Sequence, residues 1–265
     1  MTLFRRLLRR EKPQGNASQA LVMALLGDEA TFDGAAALDY LAAHWTDLPS
    51  VVGRDAQDAV TVASIPGGAI GLMHAPLPVP AGDLEGPVAV AWHWPEAAQT
   101  VPAHRAHVII HAGSTVLDSI DLRLLLTKLT ASVLSVGNGV GVYVGDAMLV
   151  RSARDYLTDA EQASRDNLPI LSWIGFNPVR EGTKLSGYTT GLRSFGLPEL
   201  EVRGSTLAPA ELFGTLADLA NYELSTGRVL RDGDTFGATE ADRTRVQYRP
   251  SAFIPDTTVA ALELP

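Results

Sequence analysis

Apolar positions along this chain repeat with two periods, and each period predicts its own elements. Ala20 to Leu26 is a continuous apolar run closed by Gly27, which reads as a buried strand. Asp33 then stands where a helix cap belongs, ahead of a stripe of Leu38, Leu41, Ala42 and Trp45, with Pro49 just past the end. Residues 59–74 hold two short strand-like runs about Pro66-Gly67-Gly68 and predict a hairpin. Pro76, Pro78, Pro80, Gly82, Gly86 and Pro87 predict a loop. Val88 to Trp94 alternates, which predicts a strand with Val88, Val90, Trp92 and Trp94 on its core face.

The strongest periodic signal comes next. Ala106 to Ala112 reads as a strand. Asp118 or Ser119 can cap a helix whose Leu122, Leu125, Leu126, Leu129, Val133 and Val136 keep helical spacing. Gly137-Asn138-Gly139 stops it, and Val140 to Val144 returns as a strand. Strand, helix and strand with short connections predict a parallel crossover. Further on, Ser152 caps a more polar helix that ends before Pro169, and Ile170 to Phe176 reads as a strand. Residues 187–196 read as a shaped loop, because Gly187, Gly191 and Gly196 punctuate it. Glu199 to Val202 reads as a strand. Pro209 opens a helix striped by Leu212, Leu216, Leu219 and Ala220 and closed by Gly227. Arg228 to Leu230 and Arg243 to Tyr248 are predicted strands joined through Asp232-Gly233-Asp234, ahead of an irregular tail with one edge strand.

These elements predict an α+β fold: a mixed, largely antiparallel sheet with helices packed on one face, in two closely packed halves. The organisation expected is a basic arm over residues 1–15 and one domain over 16–265, with subdomains 16–150 and 165–265 as the alternative division.

Composition narrows the function. The 265 residues are 46% hydrophobic and carry a net charge of −9, an acidic balance that argues against a nucleic-acid partner. Without cysteine there is no disulfide, thiol nucleophile or cysteine-based metal site. The first twelve residues are locally basic, and no secretory apolar core follows them, so the expected location is the cytoplasm. No run approaches the roughly 20 apolar residues of a membrane helix. Leu3, Phe4, Leu7 and Leu8 share one helical face, so a weak surface contact by the basic arm stands beside the plainer reading of a frayed terminus.

Few catalytic patterns survive inspection. Gly137, Gly139, Gly141 and Gly145 end a helix and enter a strand, the reverse of a phosphate-binding turn. No G-x-S-x-G elbow occurs. Asp232-Gly233-Asp234-Thr235 reads as a turn before it reads as a cation site. Glu199 and Glu201 share a strand face and read as solvated carboxylates, with an acid–base pair as the sharper alternative. All six histidines lie between residues 44 and 111. His93, His107 and His111 share strand parity, and three imidazoles suit zinc, the one cofactor considered.

Residues 187–202, taken with His93-Trp94-Pro95, His104-Arg105-Ala106-His107, Gly141-Val142-Tyr143 and Asp232-Gly233-Asp234-Thr235-Phe236-Gly237, resemble a bacterial family, the domain-of-unknown-function family 4261. Tyr188-Thr189-Thr190-Gly191 and Phe195-Gly196 with Glu199 and Glu201 carry most of the likeness, which covers about residues 18–250. The resemblance implies a shared fold and brings no activity. Two functional readings follow from the residues. One is a non-catalytic module that binds a protein or small ligand through Tyr188, Thr189, Thr190, Arg193 and Glu199. The other is a metal-dependent hydrolase built on His93, His107 and His111.

Overall fold

A computed structural model describes residues 18–29, 32–57, 59–237 and 243–264. The basic arm lies outside the described residues. The fold is α+β, but it holds two sheets where the sequence predicts one.

The first sheet contains β1 (Ser18–Leu26), β2 (Val52–Gln57), β3 (Val60–Ile65), β4 (Gly68–Ala75), β5 (Ala106–Ser114), β6 (Gly139–Val144) and β7 (Leu149–Ser152). Its order is β2-β3-β4-β5-β1-β6-β7, and every neighbouring pair is antiparallel. β5 and β6 both run antiparallel to β1 from either side, so they are parallel to each other. That is the expected crossover, with β1 lying between its two strands. The second sheet contains β8 (Gly175–Glu181), β9 (Lys184–Thr190), β10 (Leu200–Ser205), β11 (Thr235–Phe236), β12 (Thr244–Pro250) and β13 (Thr258–Leu262), in the order β11-β12-β13-β10-β9-β8. Among the described residues of this sheet, only β10 and β13 pair in parallel. The tail strand β13 is therefore central rather than at an edge.

Helix α1 (Gly34–His44) starts where the sequence predicts: Asp33 Oδ1 accepts the Ala35 and Ala36 N–H groups at 2.9 and 3.0 Å. α2 (Ala81–Ala89) and α3 (Ala97–Thr100) fall in the stretch predicted as loop and strand. Val88 to Trp94 does not form a strand. Ala91, Trp94 and Ala97 repeat at helical rather than strand spacing, and with Val79, Leu84 and Val101 they cover Met23, Leu25 and Val150 of the first sheet. Helices thus lie on both faces of this sheet, not on one.

α4 (Ser119–Val136) is capped by Asp118, whose side chain accepts the Asp121 N–H. Leu122, Leu125, Leu126, Leu129 and Val133 fill the core of the first sheet, while Leu124 joins the core of the second. Each fully buried leucine contributes about 1.5–3 kcal/mol. Because both halves pack on α4, every residue from Leu122 to Leu134 is buried, polar ones included. Thr127, Thr130 and Ser132 adapt by donating their hydroxyls to the carbonyls four residues back.

α5 (Ala153–Gln162) is capped by Ser152 and buries Tyr156 and Ala160. Residues 170–176, predicted as a strand, begin with one helical turn, α6 (Ile170–Trp173); only from Gly175 does β8 begin. α7 (Pro209–Thr226) lays Leu212, Leu216, Leu219 and Ala220 into the second core. Arg228 to Leu230 forms no strand, since the Leu230 N–H goes to the Glu223 carboxylate and not to a neighbouring chain. Among the described residues, no helix is long and apolar enough to cross a membrane.

Candidate functional site

Residues 187–196 are less of a loop than the glycines suggest. Gly187, Tyr188, Thr189 and Thr190 belong to β9, and only Leu192–Phe195 leaves the sheet as a short 3₁₀ turn. The turn is organised from below by Glu199. Its Oε1 accepts the Gly191 and Arg193 N–H groups at 2.9 and 3.1 Å, and its Oε2 accepts the Thr189 hydroxyl at 2.8 Å and the Leu192 N–H at 3.3 Å. Burial pushes the Glu199 carboxyl above its ordinary value, opposed by those four donors.

The expectation that Glu199 and Glu201 form a solvated strand face is overturned. Both are buried, at 2% and 0% exposure. Glu201 clamps a second turn: it accepts from Arg203 Nε, from the Ser251 hydroxyl and from the Ala252 N–H. β10 is an interior strand, so a carboxylate on it meets protein donors before it meets water.

Of the five predicted ligand-binding residues, three are committed to internal bonds. Thr189 and Glu199 hold each other. Thr190 donates its hydroxyl to the Ala147 carbonyl and accepts from Asn177 Nδ2. Tyr188 is half-buried and stacks on Phe253, with ring centroids 5.2 Å apart. Arg193 is exposed and reaches Thr257 with one guanidinium nitrogen.

The same stretch forms the neck between the halves. Gly191 has φ +110°, and a β-carbon there would lie 2.9 Å from the Ala147 Cβ and from the Trp173 carbonyl oxygen. A β-carbon on Gly175 would lie 2.4 Å from the Ala147 carbonyl oxygen. Glycine at both places lets the turn carrying Ala147 approach β8 and β9. Beside it, Asp146 accepts from Arg123 and from the Ser194 hydroxyl, and Arg123 lies over the Phe195 ring.

The histidines do not converge. His93 sits after α2 and bonds the Val150 carbonyl of β7 through Nε2 at 2.9 Å. His107 donates its Nδ1–H to the Leu77 carbonyl, 2.8 Å away, and burial lowers its pKa as it does that of His93. β7 lies three strands from β5, about 14 Å, and four residues along β5 separate His107 from His111 by about 13 Å. Zinc–nitrogen bonds are about 2 Å long, so this placement separates the predicted ligand set. His107 and His111 do share a face of β5, but His93 lies on no strand, and parity fixes a face and not a distance. Among the described residues, no three histidine, aspartate or glutamate side chains are placed to hold a metal.

One further carboxylate escaped the sequence reading. Glu223 on α7 is fully buried; its Oε1 accepts the Leu230 N–H at 2.7 Å and its Oε2 has no hydrogen-bond partner. Burial, opposed by the Leu230 N–H and aided by the Glu199 charge, pushes its pKa up to about 7. Both Glu199 and Glu223 are closed off from solvent.

The family-model comparison covers this half of the molecule. Residues 188–263 match the model described as a domain of unknown function (DUF4261). The chain resembles that family. The DUF4261 match runs from Tyr188 in β9 through β13 and so takes in both glutamate clamps. Comparison with curated proteins gave no match, and comparison with solved structures gave none.

A hollowed surface lies outside the DUF4261 match. On the face of the first sheet away from α4, the strand register aligns three rows. Val60, Met73, Ile109 and Met23 form one, Val62, Gly71, His111 and Leu21 the next, and Ser64, Ala69, Gly113 and Gln19 the third. None of these carries a formal charge when histidine is neutral; beyond them, Asp55 of β2 pairs with Val62 at the end of the second row. Leu21, Val60, Val62 and Met73 are 39–43% exposed. The small residues at the centre leave a hollow of about 450 Å³, lined by Gln19, Val62, Ala69, Gly71, His111 and Gly113 among others. Gln19 Oε1 is buried beside it with no hydrogen-bond partner. The segment that covers the β6–β7 end of this face, residues 77–105, reaches Met23 and Ile109 of the first row and leaves Val60, Met73 and the other two rows uncovered by that cluster.

Proposed function

We propose that the protein is a non-catalytic binding module whose contact surface is the open face of the first sheet. The observation that carries this reading is the cluster of exposed Leu21, Val60, Val62 and Met73 around a glycine-floored hollow, on a chain of net charge −9. Contiguous exposed apolar surface of this kind marks interaction sites. The buried acids support it indirectly, because Glu199, Glu201 and Glu223 are spent on turns. The partner presents uncharged, apolar groups, and the cysteine-free composition suits action in the cytoplasm.

The test is comparative capture from the source cells with wild type and Val62→Asp, with circular dichroism to check folding. A protein held by wild type and released by the folded variant supports the reading. An identical set of captured proteins overturns it.

A further inference from the structure

Two packing demands meet in the turn that joins α4 to β6. The chain leaves α4 through Gly137, passes Asn138 at φ +49° and enters β6 at Gly139. Asparagine is one of the few residues besides glycine that accept the left-handed region. Glycine at 139 is required by its neighbours: a β-carbon there would lie 2.3 Å from Leu134 Cδ2 and 2.9 Å from Leu134 Cα. The fold therefore fixes an asparagine followed by a glycine, and that pair has a chemistry of its own. Asparagine amides are among the thermolabile groups of proteins. The backbone nitrogen that follows can attack the side-chain carbonyl carbon, and glycine has no side chain to shield that nitrogen.

The turn also positions the amide. Asn138 is exposed, and its Nδ2–H is donated to Asp28 Oδ2 at 3.0 Å. Its backbone carbonyl accepts the Gly27 N–H at 3.2 Å, which ties the turn to the end of β1. The other described asparagines lack the same partner. Asn167 and Asn221 are followed by the bulkier Leu168 and Tyr222, and Asn177 by Pro178, which has no N–H.

We propose that Asn138 is a site of spontaneous covalent modification, where the Gly139 nitrogen closes a succinimide ring on the Asn138 side chain, with Asp28 as the positioning residue that restrains the amide. In ring closure the bond from the Gly139 nitrogen to Asn138 Cγ forms and the Cγ–Nδ2 bond breaks. The amide leaves as ammonia with the proton that Gly139 gives up. Water then adds to either ring carbonyl, which yields aspartate or isoaspartate with no change of oxidation state.

Either product alters the turn. A carboxylate replaces the donor that faced Asp28, so two negative groups meet where a hydrogen bond stood. Isoaspartate also adds a methylene to the backbone just ahead of Gly139, the residue paired with Leu26 of β1. The modification thus loosens the join between β1 and β6.

The test is incubation of the full-length protein at pH 8 and 37 °C, followed by peptide mapping with mass spectrometry. Aspartate and isoaspartate should accumulate at position 138 while Asn167, Asn177 and Asn221 keep their amides. Conversion at 138 no faster than at those three overturns the site. Asp28→Ala, with folding checked by circular dichroism, should speed conversion several-fold, and Asp28→Asn, which keeps an acceptor, should stay near wild type. Equal rates in Asp28→Ala and wild type overturn the role of Asp28. A second measurement needs no ageing. Asn138→Asp should lower the urea midpoint, and adding Asp28→Asn should recover most of the loss. An unaltered midpoint in Asn138→Asp overturns the loosening.

Discussion

The Glu199 carboxylate holds Gly191: Oε1 accepts its N–H at 2.9 Å, eight residues back along the chain. Gly191 in turn sits against Ala147, so one buried acid fixes both a turn of the second sheet and its junction with the first. The carboxylate is worth its desolvation because four donors converge on it, and hydrogen bonds to charged groups are among the stronger ones.

Glu199→Ala leaves those four donors without their acceptor in a buried site. The expected loss is about 3 kcal/mol or more of unfolding free energy, read from urea denaturation. Glu199→Gln keeps the shape and part of the bonding, so it should lose less. A loss below about 1 kcal/mol for the alanine variant would show that the turn is held from elsewhere.

The neck makes a prediction about pairs. Gly191→Ala puts a β-carbon against the Ala147 Cβ at a φ that favours glycine, and should cost about 2 kcal/mol or more. Adding Ala147→Gly should recover part of that loss, a coupling of at least about 0.5 kcal/mol. Gly175→Ala meets the Ala147 carbonyl oxygen, which glycine retains, so its cycle with Ala147→Gly should show almost no coupling. Equal coupling in the two cycles would contradict the packing described.

Glu223 gives the fold a pH dependence. Its folded pKa, about 7, lies above the unfolded value near 4.5, so the folded state holds the proton more tightly. Its stabilising share is fully present below pH about 4.5 and is lost as pH rises through about 7. Wild type should therefore lose stability between pH 5 and pH 8 relative to Glu223→Gln, which carries no titrating proton. Glu199 and Tyr248 lie close enough to couple to this step, Tyr248 being raised by burial and then by the Glu223 charge. Urea midpoints of both proteins at the two pH values check it. Parallel pH profiles would remove Glu223 as the cause.

Much of the fold was legible where local chemistry settles it. The stripe of α4 and the caps Asp33 and Ser152 stand as the residues predict, because a period and a cap are written within a few positions. What failed depended on partners distant in sequence. Val88 to Trp94 alternates for seven residues, too few to separate a strand from the helical spacing of Ala91, Trp94 and Ala97. Thr127 is buried on α4 because Trp173, distant in sequence, donates its indole N–H to the Thr127 hydroxyl. Glu199 and Glu201 look solvated because nothing near them in sequence announces that β10 is interior. The open face was hidden for a related reason. The apolar run of β1 gives no sign that Leu21 faces solvent while Val22 is buried in the core.

β13 lies between β12 and β10, pairing Leu262 with Val246 on one side and with Val202 on the other. During vectorial synthesis both neighbours emerge first, and each keeps a bare edge until residue 262 clears the ribosome. Nascent chains stopped before that point hold the first sheet complete and the second divided, with two strands able to capture a foreign one. The strand Thr258–Leu262 thus acts as the closing step of the second half, and premature termination ahead of it yields an aggregation-prone product where a shortened surface loop would not.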